Sequence, residues 1–342
     1  MGIISNLRLI VAVAVIACGP VVLAAQTPPA QAEDSSLSVP QDMTVLLLDN
    51  SLRHELQNAV RERNYKRAET ILVEEAERDP KSPRAGKLFE FAGGVFFIDG
   101  LYVNAIIAWK KAAAIAPLDD RSRFTMAMAY IKLNRRDWAR SELEELEKIE
   151  PRNALYTYWL ARLDYDAQEY QQAIAGLQKA IEIDPTMMRA YDTLGLCYDY
   201  LGQFDNAIKN YNLAVELNRA QMKPSPWPYV DLAISLVEIN QLIEAEKNLR
   251  EALLYDTRLP QAHYHLGRVL DKQGSLRAAV QELNEAAALD PPYPEPHLLL
   301  GRIYHKLGKS QRAKSEIEKF QQLDKARGTP SPETTSPRTM QR

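Results

Sequence analysis

The sequence predicts an all-α solenoid of about eight helix-turn-helix repeats, and three recurring positions carry this prediction. An alanine returns in steps of 37, 34, 34, 34, 38, 34 and 34 residues, at Ala68, Ala105, Ala139, Ala173, Ala207, Ala245, Ala279 and Ala313. Twelve residues earlier, seven of the eight repeats carry a second small residue: Gly93, Ala127, Ala161, Gly195, Ala233, Gly267 and Gly301. Twelve residues after the alanine, five repeats carry a proline: Pro80, Pro117, Pro151, Pro185 and Pro291. A fixed period of this length is typical of stacked helical repeats.

The first helix of a repeat is predicted from its apolar spacing. In the fifth repeat, Leu194, Tyr198 and Leu201 recur at intervals of three or four residues and therefore share one helical face. Gly195 and Ala207 are expected where two antiparallel helices cross, because larger side chains there would hold the helices apart.

The turn and the end of the second helix have their own signals. Glycine recurs between the paired helices, where a left-handed residue is needed, at Gly100, Gly202, Gly274 and Gly308. Asp184-Pro185 is typical of a helix end, because proline disfavours helical conformation in the residue before it. Each period is therefore one helix pair.

At these positions the sequence resembles the tetratricopeptide repeat family. The closest matches are Tyr191…Leu194-Gly195…Tyr198…Ala207…Tyr211…Ala214 and Leu266-Gly267…Ala279…Pro291. The resemblance covers about residues 49–325 and implies a right-handed superhelical solenoid with a peptide-binding groove on its concave side. It is specific for fold but not for function, because the family serves many unrelated tasks.

The end repeats and one insertion depart from the pattern. The first repeat has Leu56 at the small position and Glu75 at the next alanine position, and the last has Phe320 where Ala214 lies in the fifth. Terminal repeats are expected to differ because they face water. The step of 38 residues reflects an insertion at residues 223–228, which contains three prolines. We expect an offset or hinge there, between repeats one to five (49–222) and repeats six to eight (223–325).

The two ends are predicted to lie outside the repeats. Residues 9–25 are almost wholly apolar and predict a signal peptide over residues 1–25, cleaved after Ala25 or Ala32. An uncleaved membrane anchor over residues 9–25 and a lipoprotein signal around Cys18 are the alternatives. Residues 26–48 are rich in Pro, Ala and Ser and predict a flexible linker. Residues 326–342 predict a disordered basic tail.

The charge balance and the cysteine count disfavour two classes of protein. Lysine and arginine total 42 against 45 for aspartate and glutamate, so the formal charge is −3. This balance disfavours a nucleic-acid-binding protein, which needs a concentrated basic surface. Two cysteines in 342 residues are too few for a disulfide framework or a cysteine-built zinc site.

No residue set predicts catalysis, a cofactor, a small-molecule substrate or a metal site. Gly308-Lys309-Ser310 has the end of a phosphate-binding loop, but Ile303 stands where the upstream glycine is required. His263 and His297 fall at the packing position of Tyr191, so a metal pair with His265 is disfavoured. Cys197 lies in the best-conforming repeat and is expected to be a buried structural thiol.

The candidate site is the face of each first helix that packing does not use. The resemblance implies that this face lines the concave groove. Its predicted partner-binding residues are Phe124, Met128, Tyr158, Arg162, Tyr165, Leu196, Tyr200, Tyr264, Arg268, Arg302 and His305. Arginine recurs at one position in three repeats, as Arg162, Arg268 and Arg302, and arginine is suited to bidentate capture of carboxylates. The alternative is that these arginines pair with neighbouring aspartates such as Asp192, Asp199 and Asp271.

The sequence therefore predicts an exported, non-enzymatic scaffold that binds a protein or peptide partner in the groove. Its expected location is the periplasm or cell envelope, and its expected role is envelope assembly or secretion. The alternative is a membrane-anchored structural spacer of a larger complex, with no defined peptide ligand.

Overall fold

The structure is a computed structural model that describes residues 43–327. The predicted signal peptide and its alternatives, most of the predicted linker and most of the predicted tail lie outside the described residues. Within residues 43–327, no helix combines the length and apolarity that a membrane crossing needs.

The described residues form sixteen α-helices and no strands, preceded by a short 3-10 helix at Thr44–Leu46. The helices pair as first and second helix of eight repeats: α1 (Asn50–Arg61) and α2 (Tyr65–Glu77), α3 (Pro83–Ile98) and α4 (Tyr102–Ala113), α5 (Asp120–Lys132) and α6 (Arg136–Ile149), α7 (Ala154–Asp166) and α8 (Tyr170–Ile183), α9 (Met188–Tyr200) and α10 (Phe204–Arg219), α11 (Trp227–Glu238) and α12 (Leu242–Tyr255), α13 (Pro260–Lys272) and α14 (Leu276–Leu289), α15 (Glu295–Lys306) and α16 (Ser310–Arg327). Consecutive helices contact each other along the whole series. The predicted all-α repeat architecture is confirmed.

Every turn inside a pair contains one residue of positive φ. Four of these are the predicted glycines, Gly100, Gly202, Gly274 and Gly308, with φ between 69° and 81°. The other four are Arg63, Asn134, Gln168 and Asn240, with φ between 54° and 64°. All eight lie five residues before the recurring alanine. The turn geometry therefore repeats even where glycine is absent, and the non-glycine residues adopt a conformation that glycine tolerates more easily.

The small residues lie where the paired helices cross. A Cβ atom built on Gly195 would fall 2.6 Å from Tyr211 Cε1, and one on Gly267 would fall 2.6 Å from Leu283 Cγ. A side chain at either position would therefore require a shift of the neighbouring side chain or helix. The predicted role of this position is confirmed.

The buried apolar side chains form two clusters. One extends from Met43 to Leu163 and the other from Tyr158 to Ala313, and Trp159 packs against both. The second cluster includes Val215 and Tyr229, which stand on either side of the proline-rich insertion. The insertion is held by Asn218, whose side chain donates to the Ser225 carbonyl and accepts from the Ser225 amide, each at 2.8 Å. The expected offset or hinge at residues 223–228 stays a prediction.

The atypical residues of the end repeats are buried. Glu75 is 5% exposed and forms ion pairs with Arg84 of the second repeat at 2.6 Å and with Arg78 at 2.9 Å. Arg84 also donates to the Leu46 carbonyl at 3.3 Å, which holds the 3-10 segment against the array. Phe320 is 8% exposed.

Candidate partner-binding face

Ten of the eleven candidate residues occupy three positions on the first helices, at −3, +1 and +4 from the small residue, and Tyr200 lies at +5. We call the surface that these positions form the first-helix face. α5, α7, α9, α13 and α15 supply the predicted residues. The first helices of adjacent repeats also contact each other directly, as α7 with α9 and α13 with α15. Their +1 residues therefore belong to one surface.

Six of the predicted residues are less than a tenth exposed. They pack between helices rather than standing free on the first-helix face: Phe124, Met128, Tyr158, Tyr165, Leu196 and Tyr264. Arg162, Tyr200 and Arg268 are half-buried, and Arg302 and His305 are exposed. The polar residues are thus the accessible part of the predicted site, and their binding of a partner stays a prediction.

An aromatic cluster links the fourth and fifth repeats. Tyr165 lies 5.9 Å from both Tyr170 and Tyr200, centroid to centroid, and Tyr170 and Tyr200 stack at 4.9 Å. Tyr170 was absent from the sequence prediction because it begins the second helix, α8. The sequence does contain a pattern that includes Tyr170, because an aromatic residue also begins three other second helices, α2, α4 and α10. These residues are Tyr65, Tyr102 and Phe204.

Arg162 is fully engaged by its own repeat. Its Nε lies 3.3 Å from Asp166 Oδ1, and its guanidinium lies 5.1 Å from the centre of the Tyr165 ring. Burial opposes the charge of Arg162, but the Asp166 carboxylate and the phenols of Tyr158 and Tyr165 outweigh it and raise the pKa. The partner is one turn along the same helix, and not one of the aspartates expected from the sequence.

Arg268 and Arg302 are engaged differently. Arg268 lies 3.3 Å from the Nδ1 atom of His265 on its own helix. Asp271, the aspartate one turn further along α13, accepts instead from Lys306 Nζ of α15 at 2.7 Å and 2.9 Å. Within the described chain, neither Arg268 nor Arg302 forms an ion pair with a carboxylate.

Asp199, at the +4 position of this face, serves packing. Asp199 is 6% exposed and accepts from Tyr211 and from Ser235, each at 2.8 Å. These donors come from α10 and α11, so the carboxylate joins three helices.

The remaining polar candidates have structural roles. Burial raises the pKa of the Cys197 thiol to about 12, so the thiol is not a nucleophile at neutral pH. His263 and His297 each hydrogen-bond a glutamate of the paired helix, Glu282 at 2.7 Å and Glu316 at 2.6 Å. No group of three or more potential metal ligands lies together in residues 43–327.

Three family models match the chain. A model described as tetratricopeptide repeat matches residues 124–187, a second with the same description matches residues 189–221 and 294–327, and one described as TPR repeat matches residues 268–308. One curated relative, anaphase-promoting complex subunit 3 of Dictyostelium discoideum, is 35% identical over 71 residues. That alignment covers 21% of this chain and 7% of the relative, so the chain spans a small part of the relative's length.

Solved structures share the fold at low sequence identity. PilW, a type IV pilus biogenesis factor, is 19% identical with a TM-score of 0.55, over 62% of this chain and 95% of PilW. PilF of Pseudomonas aeruginosa is 16% identical with a TM-score of 0.53, over 62% and 93%. The Cut9–Hcn1 hetero-tetramer of the anaphase-promoting complex contains a chain 15% identical with a TM-score of 0.57, over 74% and 55%. At these identities the similarity shows the fold alone.

Proposed function

The chain is a tetratricopeptide repeat protein, and from that premise we propose that it is a non-enzymatic scaffold that binds a protein or peptide partner on its first-helix face. One observation carries the proposal. At the +1 position of this face, arginine side chains remain accessible after the helices have packed. Arg268 is half-buried and Arg302 is exposed. Arginine on a rigid, partly apolar surface is a common anchor for protein recognition.

An extended partner segment fits this surface better than a small molecule. The accessible residues recur from repeat to repeat, so their bonding groups are spread along the array and do not converge on one cavity. Tyr200 supplies an aromatic contact, and tyrosine loses little conformational entropy on binding. A peptide with acidic and apolar groups has the matching chemistry.

The cell envelope is the compartment that we propose. The apolar segment at residues 9–25 supports export. PilW, a protein of the same fold, is described as a type IV pilus biogenesis factor, and we therefore choose an envelope assembly or secretion complex as the first place to test. Sequencing the amino terminus of the protein recovered from the envelope distinguishes the alternatives. A start after Ala25 or Ala32 supports cleavage, a lipidated start at Cys18 supports a lipoprotein, and an intact start supports the anchored spacer.

The binding proposal is tested by cross-linked capture from an envelope extract. The unmodified chain is compared with a triple variant, Arg162→Ala, Arg268→Ala and Arg302→Ala. A matched control removes the same charge outside the first-helix face, by Arg152→Ala, Arg258→Ala and Arg277→Ala, since these three side chains are exposed and form no ion pair in the described chain.

The outcomes separate the two functions. A partner captured by the unmodified chain and by the control variant, but not by the folded triple variant, supports binding on the first-helix face. Capture by all three proteins would indicate that the partner contacts another surface. Absence of any specific partner contradicts the binding proposal and favours the spacer.

A further inference from the structure

Exposed apolar side chains concentrate on the second and third repeats. Five large apolar side chains between residues 98 and 138 are exposed, at fractions from 36% to 58%. They lie at the turn between α3 and α4, on the outer side of α4 and in the first turn of α6. We call them the turn patch, and its members are Ile98, Leu101, Val103, Ile107 and Trp138. An exposed apolar patch of this kind marks an interaction surface.

The helices α4 and α6 place members of the turn patch side by side. Val103, Ile107 and Lys110 follow one another at intervals of four and three residues, so they share one side of α4. α5 packs against both α4 and α6. Burial raises the pKa of Glu142 on α6, and the charge of Lys110 is among those that oppose this rise. Trp138 lies one turn before Glu142, as Ile107 lies one turn before Lys110, so Ile107 and Trp138 occupy matching levels of neighbouring helices.

Trp138 is held rigidly but remains exposed. Its ring packs edge-to-face on the ring of the buried Tyr130, with the centroids 5.4 Å apart. The Arg135 guanidinium lies 5.8 Å from the centre of the Trp138 ring. The Trp138 side chain is nevertheless 58% exposed. Tryptophan is enriched at the boundary between water and lipid, because its ring is apolar and its N–H is polar.

The turns inside the helix pairs form one edge of the array, since each pair is antiparallel and adjacent first helices contact each other. Arg136 donates to the carbonyl of Asp166 at 2.7 Å, which joins the turns of the third and fourth repeats. We call this surface the turn edge and define it as the eight residues before each recurring alanine. Most of the turn patch belongs to it.

Charge changes sign along the turn edge. In repeats one to three, at residues 60–67, 97–104 and 131–138, it contains seven lysines and arginines against three acidic residues. In repeats four to six it contains six acidic residues and no lysine or arginine. In repeats seven and eight it is basic again, but no large apolar side chain is exposed there. Exposed apolar groups and excess positive charge therefore coincide in repeats one to three alone.

Most cations of this part of the turn edge have no carboxylate partner. Arg67 pairs with Glu55 at 2.6 Å. The other six are exposed and form no ion pair within residues 43–327: Arg61, Arg63, Lys66, Lys132, Arg135 and Arg136. Cations spread in this way on both sides of an apolar patch complement a surface that offers many anions over an area, and a single acidic side chain cannot reach them all.

We propose that the turn edge of repeats one to three docks on the surface of a bilayer that contains anionic lipids. The turn patch enters the boundary between headgroups and acyl chains, and the six cations contact lipid phosphates. The apolar groups project from turns and helix starts, an arrangement that suits insertion between headgroups better than a groove would. This surface is separate from the first-helix face, so the inference goes beyond the proposed function.

The test uses the chain from Glu33, the product of the predicted cleavage after Ala32. This chain keeps both buried clusters and all sixteen helices but lacks the apolar segment at residues 9–25. Flotation measures its binding to vesicles of phosphatidylcholine alone and to vesicles of phosphatidylcholine and phosphatidylglycerol in equal parts. We expect roughly tenfold tighter binding to the anionic vesicles, because basic residues near an anionic surface are attracted to it. Raising the salt concentration reduces the difference, since exposed charges are screened.

An apolar variant tests the turn patch. It carries three substitutions, Leu101→Ser, Val103→Ser and Trp138→Ser, and is expected to bind anionic vesicles about tenfold more weakly. The matched control removes three exposed apolar side chains at the opposite edge, where second helices end: Ile149→Ser, Met222→Ser and Leu254→Ser. The control is expected to bind as the unmodified chain does.

A basic variant tests the charges. It carries Arg61→Gln, Arg63→Gln and Lys132→Gln, and is expected to lose most of the preference for anionic vesicles. Its control removes three exposed cations from the connections between pairs, by Lys81→Gln, Arg152→Gln and Arg258→Gln, and is expected to keep the preference. Circular dichroism and thermal melting establish that each variant is folded.

Tryptophan fluorescence locates the contact. Among the four tryptophans, Trp138 alone is exposed, since Trp109 is buried and Trp159 and Trp227 are half-buried. Brominated phosphatidylcholine quenches a tryptophan that enters the lipid boundary. We expect quenching in the unmodified chain and its loss in Trp138→Phe, which keeps an aromatic ring at this position.

The inference is overturned if the chain binds neither kind of vesicle or both equally, if either variant binds as tightly as its control, or if Trp138 is not quenched. Capture of an envelope protein that the apolar variant alone fails to capture, without vesicle binding, would assign the turn patch to a protein partner and also overturn it. The proposed function is tested separately, by the arginines of the first-helix face, and does not depend on these outcomes.

Discussion

The Tyr211 hydroxyl donates a 2.8 Å hydrogen bond to Oδ2 of Asp199, and both side chains are buried. Ser235 donates to the same carboxylate from the next repeat, at 2.8 Å. The carboxylate thus connects α9, α10 and α11. Because a buried carboxylate without donors is costly, this network stabilises the junction between the fifth and sixth repeats.

Tyr211→Phe removes one donor and leaves the Asp199 carboxylate in place. We expect a loss of about 1–3 kcal/mol in the free energy of unfolding, since a buried acceptor loses a partner. Chemical denaturation measures it. Tyr198→Phe is the control, because Tyr198 is half-buried in the same repeat and forms no hydrogen bond there in the described structure. Equal stability of the two variants would show that the network contributes nothing.

Gly195→Leu is expected to force the α9–α10 crossing apart. Even a Cβ atom would lie 2.6 Å from Tyr211, so overpacking should cost about 1–3 kcal/mol. Gly94→Leu is the matched control, because a Cβ atom there meets nothing within 4 Å. The melting temperatures of the two variants decide the question. A melting temperature of Gly195→Leu equal to that of the unmodified protein contradicts the assigned role.

Asn218→Ala is expected to make the insertion at residues 223–228 less ordered. Asn218 is fully buried and makes two 2.8 Å hydrogen bonds to the Ser225 backbone. Their loss should cost about 1–3 kcal/mol of stability and leave the amide and carbonyl of the half-buried Ser225 without these partners. Asn206→Ala, an exposed asparagine of α10, serves as the control. Limited proteolysis followed by mass spectrometry should locate new cleavage in the insertion, and protection equal to that of the control would refute the role of Asn218.

Glu69→Gln is expected to stabilise the protein above neutral pH. Glu69 is 8% exposed, its Oε1 has no hydrogen-bond partner in the described structure, and burial, followed by the charge of Asp99, raises its pKa to about 7. A carboxyl whose pKa is higher in the folded state loses stability as pH rises from its unfolded value of about 4.5 to about 7.

The glutamine variant should therefore unfold with a free energy about 1–3 kcal/mol higher than that of the unmodified protein at pH 8, and with little difference at pH 4. Denaturation curves across this range test the sign. Glu74→Gln, an exposed neighbour on α2, should leave the pH profile unchanged. A Glu69→Gln profile parallel to that of the unmodified protein would show that Glu69 does not titrate in this range.

The candidate site was only partly predictable. The sequence identified the first-helix face and its three arginines, but it did not show that Tyr165 and Tyr264 would be less than a tenth exposed. In a single helix pair, the free face of the first helix is open to solvent. How far neighbouring repeats cover the free face depends on their distance, which a single repeat does not encode.

The sequence alone determined the helix pairs, because local spacing controls them. Gly202 supplies a positive φ, Pro185 ends a helix, and Gly195 allows a crossing, each within one repeat. The tertiary structure decided the pairing of charges between repeats. Lys306 pairs with Asp271 across 35 residues, whereas the pair of Arg162 with Asp166 has the local i, i+4 spacing of a single helix. Ion pairs form wherever packed helices bring long side chains within about 4 Å, and that distance is a property of the assembled array.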